Sequence, residues 1–243
     1  MGDRTKPLPE GWGGDHLTEF LETAEHNRFA TFVRMADGYA KLNQVDALFM
    51  KPSLSRWRVR DEEMFRAGLF HRAHGFYRTA CGAVMAGQIA EAFSMCRAVL
   101  EAAAYALHMA KTPGLDAVWR DRHENGGMQA VKKGFALKAI RKSIASLDVR
   151  TDERFARLYQ EAIDMGAHPN ARSVFASLEI SETQGEYNIR SLLLNPAGNS
   201  QKYAMKAVAQ AGACAIEMFL EVFPERSVEL DLQQDFKIAS QGL

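Results

Sequence analysis

The sequence predicts a mainly α-helical protein in which long helices wall a bundle and a small β-hairpin precedes the last long helix. Apolar residues recur at three- and four-residue spacing through most of the chain, the period of a helix with one buried face. The stretch from Ile89 to Lys111 is rich in Ala, Leu and Met, all strong helix formers, and at 1.5 Å per residue it is roughly 35 Å long, enough to span a small domain. Only near residues 172–194 does the period drop to two.

Residues 1–14, broken by Pro and Gly, read as a flexible arm. Residues 15–55 form an accessory helical segment. Asp15 is its N-cap, and Leu17, Phe20, Leu21, Ala24, Phe29, Phe32 and Val33 make an apolar stripe. Gly38 is expected to bend or end that helix, and a short apolar piece, Val45 to Met50, stops before Pro52. Residues 56–224 form the bundle core. From about Trp57 the helical pattern strengthens and leads through Phe70, Tyr77 and Val84 to a turn at Gly87-Gln88, so that this helix and Ile89–Lys111 form an antiparallel hairpin. A short segment from Leu115, a helix from Met128 to Ser146 and another from Phe155 to Met165 follow. In the hairpin near 172–194, Val174, Ala176, Leu178 and Ile180 alternate before Thr183-Gln-Gly-Glu186, and Tyr187, Ile189, Ser191 and Leu193 alternate after it. A last helix runs from about Ser200 to Phe223 and Pro224 stops it, leaving residues 225–243 as a tail that covers another surface. No linker divides the chain, so one domain is expected.

Composition narrows the function classes. The 30 basic and 30 acidic residues cancel, so attraction to nucleic acid or an anionic membrane must come from a local patch. Three cysteines, Cys81, Cys96 and Cys214, each lie in an apolar helical pattern, which suits a reducing cytoplasm better than a disulfide framework. Arg97 and Glu101 interrupt the most apolar region, so a spanning helix, and with it a membrane partner, is not expected. No Walker or dinucleotide glycine motif is present, and no cofactor is called for.

The most unusual feature is a polar stripe on the apolar helix: Ser94, Arg97, Glu101, Tyr105 and His108 at spacings of three and four. Charges on such a face need partners, because desolvation is costly. The stripe reads first as a network tying helices together and second as the lining of a small-ligand pocket. On the preceding helix His71, His74 and Arg78 share a similar face, with Cys81 one step further, and antiparallel pairing could bring them toward the stripe. A lone His-x-x-His pair supplies too few donors for a metal, and no metal is expected. His168, on the rigid corner Gly166-Ala-His-Pro-Asn170, could exchange protons near neutral pH beside Arg97 or Glu101, which makes those three the catalytic candidates and Asn170 a further ligand-binding candidate. Lys132, Lys133, Lys138, Arg141 and Lys142 form a local basic face, the candidate for phosphate binding, against the plainer reading of a solvated surface.

The segments Phe76-Tyr-Arg-Thr-Ala80, Gly87-Gln-Ile-Ala-Glu-Ala-Phe93 and Cys96-Arg-Ala-Val-Leu-Glu101, with His168-Pro169-Asn170, resemble a HEPN-like group of bacterial helical proteins over roughly residues 60–220. The resemblance implies a HEPN-like up-and-down helical bundle, often paired as a homodimer. Active HEPN ribonucleases resemble one another in an Arg, four to six intervening residues, and a His near the last helix of the domain. Here that spacing occurs only at Arg66 and His71, in an early helix, and Ser200–Phe223 contains no His. The leading expectation is therefore an interaction or scaffold protein with no reaction assigned. A metal-independent ribonuclease in a toxin or phage-defence setting, acting on RNA, is the alternative, and a small-ligand pocket at the Arg97/Glu101 stripe is a third reading.

Overall fold

The computed structural model describes residues 8–243 and is mainly α-helical, with twelve α-helices and one two-stranded antiparallel sheet among those residues. At its centre α3 (Met64–Ala86) and α4 (Ile89–Lys111) form the expected hairpin. Gly87 makes the turn in the left-handed region, at φ 89°. Its carbonyl accepts the Asn195 N–H at 2.9 Å, and a side chain there would strike the Asn195 backbone. A third long helix, α10 (Asn199–Val222), packs along α4, and the core lies where Val99, Leu100 and Leu107 meet Val208, Ile216 and Phe219.

The N-terminal section is less of an accessory than its sequence suggests. After α1 (His16–Arg34) the chain breaks at Met35, not at Gly38, and α2 (Ala36–Leu54) runs on past Pro52. A proline in the last turn removes only one helical bond, and the Pro52 carbonyl accepts from the buried Arg226 at 3.1 Å. Leu42, Val45, Leu48 and Phe49 of α2 are buried in the core. The apolar stripe of α1 is mostly turned outward: Ala24 is buried, but Leu17, Leu21, Phe29, Phe32 and Val33 are exposed. Its inward face is polar. Asn27, Arg28 and Thr31 donate to the carbonyls of Ala86, Gly82 and Met85 at 3.1, 3.0 and 2.9 Å, and those of Ala86 and Met85 are acceptors that the C-terminus of α3 would otherwise leave orphaned.

Residues 56–60, expected to open the helix of α3, belong to no helix or strand. Beyond α4 come α5 (Leu115–Arg120), α6 (Gly127–Gly134), α7 (Leu137–Ala145) and α8 (Val149–Ala162), with α7 and α8 packed on α4. The single helix expected over 128–146 is thus two, broken where Phe135 drops into the core. A π-helical turn, Ile163–Ala167, continues α8. Val174, read as the start of a strand, lies instead in α9 (Ala171–Ala176). The hairpin itself is β1 (Leu178–Thr183) and β2 (Glu186–Ser191), joined through Gln184 and Gly185 at φ 55° and 83°, the two left-handed positions of a tight hairpin turn.

Of the expected arm, residues 1–7 lie outside the described residues, and 8–14 form turns closed by Trp12 N–H to Pro9 O and Gly14 N–H to Gly11 O. The expected tail is helical, with α11 (Pro224–Glu229) and α12 (Leu232–Ala239) covering α2 and α10 of the same chain. Among the described residues no helix is long and apolar enough to cross a membrane.

Candidate functional site

Arg97 and Glu101 stand one turn apart on α4, and α8 crosses them. Arg97 Nε donates to Glu101 Oε1 at 2.9 Å, the Tyr159 hydroxyl of α8 donates to the same oxygen at 2.8 Å, and the Arg97 guanidinium lies 5.4 Å from the Tyr159 ring centre. Burial, the hydrogen bond to Glu101 and the Glu101 charge together push the Tyr159 hydroxyl up to about 12. For Arg97, burial pulls the guanidinium down, but the bond and charge of Glu101 outweigh it and its pKa is raised. Each charge in the stripe thus has a partner, and Tyr159 is the member that sequence reasoning missed.

The rest of the stripe diverges from this pair. Ser94 bonds back to its own helix at Ala90 O, 3.2 Å. Tyr105 packs in an aromatic cluster, 5.2 Å from Trp119 and 5.1 Å from Phe135 between ring centres. His108 is buried, with Nδ1 2.7 Å from Ser143 Oγ and Nε2 2.9 Å from Gly134 O. A carbonyl only accepts, so Nε2 carries the proton, and in the neutral ring Ser143 donates to Nδ1. His108 is therefore the pin that receives the broken α6–α7 join. The cavity bordered by Glu101, Tyr105, Phe135 and Tyr159 measures about 60 Å³, room for water but far below the roughly 300 Å³ at which ligand pockets begin.

The α3 candidates face α2, away from the stripe. Asp46, an acid inside the apolar run of α2, accepts from Arg78 through both oxygens at 2.8 and 2.9 Å and lies 2.7 Å from His74 Nε2. Burial works against the Asp46 carboxylate, yet the bonds from Arg78 and His74 prevail and hold it well below the usual carboxylate range. His74 stacks on Phe49 at 5.1 Å, whereas His71 is exposed beside Trp57. The two histidines do not converge, and no group of three or more metal-ligating side chains occurs among the described residues.

His168 follows the π-helical turn with its side chain exposed, and no hydrogen bond, ion pair or ring contact joins it to Arg97 or Glu101 among the described residues. Its carbonyl accepts from Asn170 Nδ2 and Ser173 Oγ at 2.9 and 2.8 Å. Asn170 is the N-cap of α9, accepting from Ser173 N–H at 3.0 Å, so its side chain is engaged in holding the corner. Of the basic face, Lys132, Lys133, Lys138 and Lys142 are exposed on α6 and α7, while Arg141 is held by both oxygens of Asp152 at 3.0 and 2.7 Å. Cys96 and Cys214 are buried and Cys81 partly so, and burial pushes all three thiols up, Cys81 and Cys214 to about 12.

Besides the outward apolar face of α1, two surfaces remain that the sequence reading did not single out as sites. One is a groove of about 550 Å³ between residues 56–60 and α11, lined by Arg56, Trp57, Arg58, Arg60, Arg66 and Arg226, with Glu63, Glu221, Glu225 and Glu229 among them. Arg60 is paired with Glu63 and Arg226 with Glu229, but Arg56 and Arg58 are exposed and have no partner among the described residues. The alternation Arg-Trp-Arg-Val-Arg from 56 to 60 was the available signal. The other is the β-hairpin, whose one face carries Leu178, Ile180, Tyr187 and Ile189. Only Leu178 is partly covered, and every residue of β2 is exposed.

Compared with protein-family models, curated proteins and solved structures, this chain matches none.

Proposed function

We propose that this chain is an interaction protein in which the helical bundle is the scaffold and the projecting hairpin, with its apolar face, is the surface that meets a partner chain. The uncovered face carries this reading. Ile180, Tyr187 and Ile189 are 42%, 67% and 65% exposed, on strands that alternate apolar and polar residues over 178–181 and 186–190, the pattern of a sheet covered on one side. Val174, Phe175 and Leu193, at the hairpin's base, are exposed as well. Contiguous exposed apolar surface of this kind marks interaction sites. In contrast, Arg97 and Tyr159 both bond Glu101 Oε1 across α4 and α8, beside a cavity too small for a metabolite, which supports a helix-tying role for the stripe.

A photo-cross-linking residue at Tyr187 tests the reading in cells. The expected result is a cross-linked protein partner that Ile180→Ser/Ile189→Ser removes while leaving the thermal midpoint of the bundle unchanged. Absence of protein cross-links, or cross-links indifferent to the double substitution, overturns it.

The arginine groove favours a second reading, capture of an anionic ligand such as an RNA strand. Arg56, Arg58 and Arg60 alternate along the sequence and line the groove, with Trp57 among them as a stacking surface. Binding of labelled single-stranded RNA that weakens with added salt and is lost in Arg56→Ser/Arg58→Ser supports it. Binding unaffected by those substitutions rejects it. Cleavage that His168→Ala abolishes would be needed to extend that reading to a HEPN-type ribonuclease.

A further inference from the structure

The main-chain bonds of the hairpin determine which groups its outer edge offers. Leu192 N–H donates to Ser177 O at 2.8 Å, so Ser177 and Leu192 are a hydrogen-bonded pair. Such pairs alternate in an antiparallel ladder. With Leu178 opposite Ser191 and Thr183 opposite Glu186, the remaining hydrogen-bonded pairs are Glu179 with Arg190, Ser181 with Asn188, and Thr183 with Glu186. On β2, Glu186, Asn188 and Arg190 therefore direct their main-chain groups at β1. Tyr187 and Ile189 direct theirs outward, to an edge that no strand covers.

We propose that this β2 edge pairs with the β2 edge of a second copy of the chain, antiparallel and centred on Asn188, joining two hairpins into one four-stranded sheet. The inference rests on reading the hairpin as an interaction surface and names its occupant. In this register Tyr187 lies opposite Ile189 of the partner subunit, twice by symmetry, and both residues present outward main-chain groups, as a hydrogen-bonded pair requires. On the other face Glu186 lies opposite Arg190 of the partner subunit, also twice. Opposite charges directly across a pair are favourable and like charges are not. A shift of one pairing step sets outward groups against inward ones and apolar side chains against the polar face. Centring on Tyr187 or Ile189 keeps the faces but breaks both charge pairs.

The β1 edge has no equivalent solution, because its two charged residues, Glu179 and Glu182, are both acidic. Arg190 within its own hairpin is only 3.9 Å from Glu179, on an exposed face, and remains available. A lone two-stranded hairpin is marginal in water, whereas three or more strands hold together, so the pairing also accounts for a hairpin that stands with so little of the bundle beneath it.

The full chain tests this directly. Sedimentation from about 5 to 200 µM should show a reversible dimer, with micromolar affinity because the paired edges lie at the small end of specific interfaces. Glu186→Arg and Arg190→Glu, each alone, set like charges opposite one another and should weaken the dimer at least about tenfold. Mixed with each other, these two variants again face opposite charges and should form a one-to-one dimer of near-original affinity. Asn188→Cys should cross-link two copies under mild oxidation, since non-hydrogen-bonded antiparallel pairs bring Cα atoms to about 4.5 Å, within disulfide reach. Ser181→Cys should not. A wild-type chain monomeric throughout the range, single variants that dimerise unchanged, or a mixture that stays monomeric each overturns the proposal. So does an Asn188→Cys chain that fails to cross-link. A monomeric chain whose Tyr187 probe still cross-links a different protein in cells overturns self-pairing while leaving the interaction surface standing.

Discussion

His108 offers the sharpest test of whether the polar side chains of α4 are structural. The ring is 5% exposed, bonds Ser143 Oγ and Gly134 O through its two nitrogens, and meets the Phe135 ring edge-on at 5.7 Å. In His108→Ala both partners lose their bond. An orphaned buried group costs about 1–3 kcal/mol, and the lower figure applies here because Gly134 is only half buried and water can reach a site opened by truncation. The lost ring packing adds roughly 2 kcal/mol, so the expected destabilisation is about 4 kcal/mol. Ser143→Ala alone should cost about 1–2 kcal/mol by stranding Nδ1. In the His108→Ala background the same change removes an orphan rather than creating one, so the two should couple by about 1–2 kcal/mol. Urea unfolding followed by far-ultraviolet circular dichroism, with the m-value checked for constancy, measures all four corners of the cycle. A loss below about 1 kcal/mol in His108→Ala, or additivity in the cycle, would refute the reasoning and return His108 to the list of ligand-binding groups, where substitution often stabilises a protein.

Two further outcomes follow from the neighbouring networks. Because the folded Asp46 carboxylate is held below its unfolded value, its contribution is fully present above about pH 4 and is lost as pH falls through the folded value. Asp46→Asn should therefore cost about 2 kcal/mol at pH 7 by weakening the Arg78 and His74 bonds, and the gap to wild type in urea midpoint should begin to narrow as pH drops from about 4 to 2. A gap that stays constant over that interval contradicts the assignment. Tyr159→Phe removes one hydroxyl bond to Glu101 and keeps the ring over Arg97, so a loss of about 1 kcal/mol is expected at this half-exposed position. Stabilisation by the same substitution would point instead to a site held under strain for function.

The sequence displayed the long helices because their packing is recorded locally. The limits of Ile89–Lys111 were legible to the residue, since Gly87 and Thr112-Pro113-Gly114 bracket an unbroken run of helix formers. Tertiary exchange of polar groups was not legible. The break at Phe135 depends on His108 taking the Gly134 carbonyl from 26 residues away, and a periodicity that continues across the break gives no sign of it. The outward turn of α1 has the same origin: Asn27, Arg28 and Thr31 complete the end of α3, and that demand for hydrogen bonds outweighs the preference of Leu17, Leu21 and Phe29 for burial.

The candidate site divides along the same line. Arg97 and Glu101 announced themselves as charges on an apolar helix, but whether such a pair is a site or a strut depends on what faces it, and Tyr159 comes from a helix 58 residues further on. Once Tyr159 is in place, Glu101 Oε1 is shared between Arg97 and Tyr159, and the cavity beside the pair is only water-sized. The hairpin is the converse case. Its alternation was read as a hairpin, which the structure shows from Leu178 to Ser191, and what the sequence could not display is that the bundle covers so little of the apolar face, Leu178 alone being partly covered. The hairpin, unlike the exposed stripe of α1, adds a free main-chain edge to its apolar side chains, so Ile180, Tyr187 and Ile189 and the edge of β2 remain open to a second chain.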